Sequence, residues 1–399
     1  MRKHKPDLLI AVLTFILMAV GLIIIYAIGP AWAQFQNVTF GANYGESDFF
    51  VRQVFAVVVA LVAFVVAYKF PFKWMENVGV WVLVLGILLC ALLSILGAAG
   101  SDLARCSLGA CRWLNLPFGF SIQPVEILKL GVLIYMGGLI AKRKREGKLN
   151  TKEMLIPVAV VVAITVGLVG VLQKDLGSTV VVLFMLACML VASGMKWRVL
   201  LLLLGIAGVI LVFLIVFFPH RMERLTSFSG EGENTYHIDN ALLAIGKGGL
   251  FGVGIGNSVQ ATGYLPESMN DSVFAVLGET FGFVGLMAVV LCFTILLMRL
   301  LRTAERSDEE GAGRFVAIGV FAWVAGHVII NIMGMTGLIP MKGITLPFLS
   351  SGGTSMMFVA IGMGTCLQLS GWTKREVKNE NTGGRRGERR TRYARSGRR

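Results

Sequence analysis

Charge is what this chain has least of. Asp, Glu, Lys and Arg make up 15% of its 399 residues, hydrophobic residues make up 56%, and the mean hydropathy is +0.75. Soluble domains carry roughly 25% charged residues, so a water-soluble globular protein is excluded. Leu8–Ile28 and Val199–Phe218 contain no charged residue at all, and each is about as long as the roughly 20 residues of helix that cross a hydrocarbon core. Backbone in lipid must satisfy its own hydrogen bonds, which for uninterrupted apolar runs leaves helix as the spanning state. The composition predicts an all-α polytopic membrane protein. Cysteine is scarce too. The six present form no metal-ligand pattern, and Cys90, Cys188, Cys292 and Cys366 lie in apolar stretches as small packing residues. A short-period repeat is lacking, and the inverted symmetry common in transporters is not evident.

The charge that is present is arranged. Basic residues cluster in Arg2–Lys5, Lys142–Lys152, Lys196–Arg198, Arg299–Arg314 and Lys374–Arg399, and the segments between them hold Glu46, Asp48, Asp102, Glu231, Glu233, Asp239, Glu267 and Asp271. The positive-inside rule puts the basic clusters in the cytoplasm. That alternation requires an even number of spans with both termini inside. About ten transmembrane helices are expected, near 8–29, 51–70, 79–99, 123–141, 154–173, 177–194, 199–218, 273–298, 314–335 and 355–371. The basic N-terminus and Ala31-Trp32-Ala33 resemble a signal peptide, but the apolar run exceeds the roughly 7–15 residues of a secretory segment, and an uncleaved first span is expected. Cys106 and Cys111 share a loop on the oxidising side, where a disulfide and two free thiols both stay open. The longest connection, Pro219–Ser272, lies outside between spans seven and eight, and its Ala241–Ile255 stretch is expected as a short helix in the interface. Residues 1–372 then form the membrane domain. The arginine-dense, glycine-rich stretch 373–399 is expected as a disordered cytoplasmic tail drawn to anionic headgroups. With one aromatic residue, Tyr393, it does not read as a nucleic-acid binder.

Chemistry concentrates in four blocks. In NSVQATGYLPESMND, Asp271 stands just before an apolar helical run, where it is either an N-cap or a general base whose partial desolvation moves its pKa toward working pH. Glu267, four residues earlier, is either a solvated loop acid or a second carboxylate holding a cation or a sugar hydroxyl. Glu279, inside the following helix, is costly unless it faces the protein interior. In GLIPMKGITLPFLSSGGTS, Lys342 and the pair Gly352 and Gly353 are candidates to cradle phosphate, against a re-entrant loop with a snorkelling lysine. In RWLNLPFGFSIQPVEILKLG, Arg112 is placed to reach a lipid phosphate, and Glu126 and Lys129 fall at i and i+3 inside a span, where a structural ion pair is favoured over catalysis. In QKDLGST, Asp175 either caps the next helix or lines a polar cavity shared with Asp271.

Taken together, these four blocks resemble the SEDS family (shape, elongation, division and sporulation), and the GNSVQ and YLPE segments look closer to its FtsW and SpoVE branch than to RodA. The resemblance spans nearly the whole chain, to Trp372. It implies a ten-span enzyme of the bacterial cytoplasmic membrane that polymerises lipid II into glycan strands during cell division. It also implies a class B penicillin-binding protein transpeptidase as partner, with other divisome membrane proteins. By matching motifs, the family's essential aspartate falls on Asp271, its LPE glutamate on Glu267, its PxKG lysine on Lys342 and its QPSE glutamate on Glu126. A divalent cation, Mg or Mn, is the one cofactor expected. The departures are Val125, Lys174 for a proline, Ser351 for a tyrosine and Ser272 for a phenylalanine. Two rival readings stand beside the enzyme: a flippase for lipid-linked precursor, which calls for ionisable groups through the midplane, and a non-catalytic divisome scaffold, which calls for tolerance at Asp271.

Overall fold

The computed structural model describes residues 2–3, 5–107, 110–116, 121–216, 233–260, 263–340 and 343–373. Of the expected tail at 373–399 only Thr373 is described, as part of a strand, and the rest of the tail and Lys342 lie outside the described residues. Among the described residues, eight helices are long and apolar enough to cross a membrane. They are α1 (Leu8–Phe40), α2 (Asp48–Lys69), α3 (Phe72–Ala98), α4 (Pro124–Arg145), α5 (Lys152–Ile164, continued as a π-helix over Thr165–Leu172), α6 (Leu176–Ser193), α9 (Val273–Arg306) and α10 (Ala312–Met335). The remaining expected spans coincide with α7 (Trp197–Val216) and with α11 (Gly353–Ser370), which has 18 residues. Before α9 comes α8 (Glu233–Gly248). The architecture is the expected all-α polytopic membrane fold.

Several boundaries differ from the sequence expectation, each for a local reason. Helix α1 does not stop at Pro30 but runs through it to Phe40, where Gly41 at φ 64° ends it in the left-handed conformation. Helix α8 starts earlier than the expected 241–255, and it stops at Gly248 because Gly249, Gly252 and Gly254 take positive φ values just after it. Residues 101–122 are not a plain loop. They form an antiparallel sheet of β2 (Ala104–Ser107), β3 (Ala110–Asn115) and β4 (Ser121–Ile122), and a disulfide joins the cross-strand pair Cys106 and Cys111.

Burial sorts the helices into a centre and a lipid-facing rim. The apolar windows of α4 and α10 are 83% and 78% buried, whereas that of α2 is 22%. The rim helices present Val58, Val62, Trp81, Leu88 and Ile156 outward, as surfaces meant for acyl chains. At one end of the bundle, β1 (Arg2–Lys3) pairs antiparallel with β5 (Trp372–Thr373), and Asp7 accepts from Arg299 at 3.3 Å while its N–H donates to the Ser370 hydroxyl at 2.9 Å. The basic C-terminal turn of α4 (Lys142–Arg145) and the basic last turns of α9 belong to this end. The other end carries the sheet and the turn that holds Asp271.

Helix α9 is broken at Gly282, whose φ of 69° and ψ of −167° only glycine adopts readily. The break lies roughly 14 Å along the helix from Val273. The backbone it frees is satisfied by the segment after α8. Val253 and Gly254 donate to the carbonyls of Glu279 and Thr280 at 2.9 and 3.1 Å, and Phe283 and Val284 donate to those of Gly249 and Leu250 at 2.9 and 3.1 Å. Irregular backbone at membrane depth is tolerated on this condition, that protein supplies the missing partners.

Candidate active site

Asp271 ends a compact turn that begins at Leu265. Glu267 takes φ 48°, its carbonyl accepts from the backbone N–H groups of Asn270 and Ser272 at 2.9 and 3.2 Å, and the chain enters α9 two residues after Asp271. The N-cap of that helix is Ser272, not Asp271, so the capping explanation of the aspartate is replaced. Ser272 serves the turn instead. Its hydroxyl donates to the Pro266 carbonyl at 2.8 Å, and His237 Nε2 of α8 lies 2.7 Å from the same oxygen. With the hydroxyl proton committed to Pro266, the imidazole N–H is the donor to Ser272. Burial pushes the His237 pKa down to about 4, against a hydrogen bond to the Pro266 backbone that pulls it up, so the ring is neutral near pH 7.

The Asp271 side chain is buried, 9% exposed, and it does not sit alone. Gly343 faces it across the site. A Cβ on that glycine would lie 3.6 Å from Asp271 Oδ2 and 3.8 Å from Arg112 Nη1. A carboxylate and a guanidinium thus converge on a point that Gly343, at φ 62°, leaves empty. Arg112 is delivered there by β3, next to the disulfide-bonded Cys111, and its Nη2 donates to the Lys174 carbonyl at 3.2 Å. Lys174 itself has φ 54°. The Asp271 main chain is clipped from below: Asn331 of α10 donates its side-chain amide to the carbonyls of Asp271 and Ile344, both at 2.7 Å. From the side, Ser351 N–H donates to the Met269 carbonyl at 2.8 Å.

Beneath this lies a buried polar chain in the bundle centre. Lys129 donates to Glu126 at 2.8 Å, as the i, i+3 spacing predicts, and its ammonium is 3.2 Å from His327 Nε2 and over the Trp323 ring at 5.9 Å. His327 Nδ1 is 3.1 Å from the Thr345 carbonyl. Glu126 and Lys129 are 2% and 0% exposed. This favours the structural ion pair for Glu126, which reaches the site only through His327 and the 343–345 backbone.

The other candidates fall at graded distances. Glu267 is exposed and accepts from the Asn270 amide at 2.5 Å, one turn away from Asp271. Asp175 is the N-cap of α6, accepting from Ser178 N–H at 3.0 Å, and it touches the site only through its neighbour Lys174. Gly352 and Gly353 form the N-terminus of α11 beside Ser351. Glu279 is fully buried and faces the interior, where Ser258 Oγ donates at 2.5 Å and the Val259 and Gln260 N–H groups at 3.1 and 3.3 Å. The residues that sequence reasoning passed over are Asn331, His327, His237 and Gly343. His327 and Asn331 stand i and i+4 in an apolar span, and polar groups at that depth are themselves a signal.

Residues 7–375 match the family described as a cell cycle protein, FTSW_RODA_SPOVE. Stage V sporulation protein E of Bacillus subtilis is 32% identical over 381 residues, 94% of this chain and 99% of that protein. A probable peptidoglycan glycosyltransferase FtsW of Nitrosomonas europaea is 31% identical over 384 residues, 94% of each. Among solved structures, the rod shape determining protein RodA of Thermus thermophilus superposes with a TM-score of 0.64 at 24% identity, over 92% of this chain and 96% of that one. A chain from a study of structural coordination of polymerization and crosslinking by a peptidoglycan synthase complex gives 0.70 at 23% identity, over 92% and 97%. The solved structures share the fold.

Proposed function

The chain belongs to the FtsW, RodA and SpoVE family of cell cycle proteins, and on that premise we propose that it is a peptidoglycan glycosyltransferase with Asp271 as its general base. The substrate is lipid II, met at the outer face of the bacterial cytoplasmic membrane by a ten-span bundle with both termini inside. Asp271 takes the proton from the acceptor GlcNAc 4-hydroxyl. That oxygen attacks the anomeric carbon of the donor MurNAc, the carbon–oxygen bond to phosphate breaks, and undecaprenyl pyrophosphate leaves from the opposite face with inversion. The leaving group is already good, so the protein supplies position and charge. The observation that carries this is the convergence of Asp271 Oδ2 and Arg112 Nη1 on the open point beside Gly343: a base and a cation share one small space, as proton removal beside a departing pyrophosphate requires. Lys342 adds a second cation to the same segment.

Among the described residues, no three His, Cys, Asp or Glu side chains cluster as a metal cage. Mg or Mn is characteristically held by one or two carboxylates together with substrate phosphates, and the exposed Glu267 is the carboxylate that would hold it while Asp271 stays the base. Such an ion would neutralise charge on the pyrophosphate. A crosslinking transpeptidase of the class B penicillin-binding type is the partner that completes wall synthesis, within a set of division proteins. The test is polymerisation of lipid II by the purified chain. Asp271→Asn loses about 10²–10⁴-fold in rate, the contribution of one general base, and chelation with EDTA lowers the wild-type rate until Mg or Mn is restored. Wild-type rates from Asp271→Asn refute the assignment.

A further inference from the structure

Two polar side chains on α10 hold backbone and nothing else in the site, and their hydrogen bonds are fully determined by chemistry. Both neighbours of the Asn331 amide are carbonyl oxygens, the Asp271 and Ile344 carbonyls at 2.7 Å each. Carbonyls only accept, so the amide nitrogen must face them and both of its N–H bonds are used. Its Oδ1 is buried without a partner. A residue selected for packing in this span would be apolar, as Val328 and Met335 are on the same helix. Asn331 tolerates an unmatched acceptor in order to bridge two segments.

His327, one helical turn earlier, is equally constrained. The Lys129 ammonium has donors and no acceptor, so at 3.2 Å it makes His327 Nε2 the acceptor. The ring proton therefore sits on Nδ1 and is donated to the Thr345 carbonyl at 3.1 Å. Glu126, at 2.8 Å from Lys129, holds the ammonium in place. Successive carbonyls, Ile344 and Thr345, are thus gripped by one helix face, just after Gly343, while the same face grips the carbonyl of Asp271.

We propose that Asn331 and His327 are positioning residues that set the distance between the Asp271 carboxylate and the Gly343–Thr345 segment, and so the width of the space in which the acceptor hydroxyl must lie. The Glu126–Lys129 pair belongs to this device by fixing which nitrogen of His327 carries the proton. This inference rests on the glycosyltransferase reading of Asp271. A misplacement of about 1 Å in a reacting geometry costs on the order of 10²-fold, and because it acts on the alignment of the reacting atoms, the loss falls on turnover rather than on affinity.

The experiment measures kcat, KM for lipid II and thermal midpoint for purified full-length Asn331→Leu, His327→Leu and His327→Asn, beside wild type and Asp271→Asn. Asn331→Leu and His327→Leu are expected to lose about 10²-fold in kcat with KM within about threefold, the pattern of an interaction needed only in the transition state. In His327→Asn an amide N–H takes the place of Nδ1–H toward Thr345, and at least about tenfold of the rate returns. A merely structural role lowers the thermal midpoint without that kcat-only pattern and gives no rescue. If Asn331→Leu does not fold, the His327 pair decides alone. Wild-type kcat in His327→Leu, or His327→Asn no faster than His327→Leu, overturns the proposal. Absence of polymerisation by wild type, or full activity in Asp271→Asn, instead overturns the reading of Asp271 beneath it.

Discussion

Two buried carboxylates on one stretch of chain, Asp271 and Glu279, show how alike acids are put to unlike uses. Glu279 is fully enclosed, and its two oxygens are met by Ser258, Val259 and Gln260. Those donors belong to the loop whose backbone also pairs with α9 at its break, so the acid acts as a further brace. Asp271 has its main-chain carbonyl held by Asn331, while its carboxylate and the Arg112 guanidinium both border the position where Gly343 lacks a Cβ. Fixing the backbone and setting the carboxylate beside a cation is what proton transfer next to a leaving anion asks for, and enclosing the carboxylate in loop donors is what rigidity asks for. Burial alone separates the two poorly; the direction from which each is held separates them clearly.

The sharpest way to break this comparison is to remove each charge in turn with its amide. Asp271→Asn leaves the thermal midpoint near wild type while lipid II polymerisation falls by about 10²–10⁴-fold. Glu279→Gln does the reverse, destabilising the fold by about 1.5–3 kcal/mol, the worth of hydrogen bonds to a charged group, while the folded fraction turns over within about threefold of wild type. If both variants lose activity equally at unchanged stability, the distinction between brace and base is wrong. Arg112→Ala sharpens the Asp271 side. Loss of one cation beside the leaving pyrophosphate lowers kcat/KM by about tenfold, and Arg112→Lys does not restore it, since lysine lacks the second arm that bonds the Lys174 carbonyl. Steady-state kinetics on lipid II read both.

The smallest effect expected is one of pH. His237 titrates at about 4 when α8 is docked, below its ordinary 6.5. The released segment therefore binds more protons between those values, and docking is strongest above 6.5, weakens as pH falls through the window and levels off below about 4. Protection of α8 amides, taken relative to their intrinsic exchange rates, should fall as pH drops across that interval while that of α4 amides does not. An exchange rate in α8 that does not respond to pH beyond the intrinsic chemistry removes His237 from the clamp on Ser272.

Much of the fold was legible in the sequence because a spanning helix writes itself as a charge-poor run, and the i, i+3 pairing of Glu126 with Lys129 follows from helical geometry alone. Asp271 was legible too, since an acid beside a membrane helix is conspicuous against so little charge. What could not be read was how distant segments meet. Arg112 reaches the Asp271 neighbourhood only because a short disulfide-bonded sheet carries it there, and strands of two to six residues leave no periodicity to detect. Asn331 and Gly343 were passed over because their roles lie in backbone carbonyls and in a missing Cβ, neither of which has a sequence pattern. The break in α9 was hidden for a related reason: a glycine in an apolar run looks like any other until a second segment is seen to complete its hydrogen bonds.

The pairing of Arg2–Lys3 with Trp372–Thr373 has a practical consequence. The bundle's path is nearly a ring, its first and last described strands being hydrogen-bonded neighbours. A short linker could close that gap, and new ends could be opened in the basic turn after α4, with every helix left in its place. A circular permutant of this kind would fold if the bundle assembles by helix packing, and would fail if the order in which the helices enter the membrane decides the result.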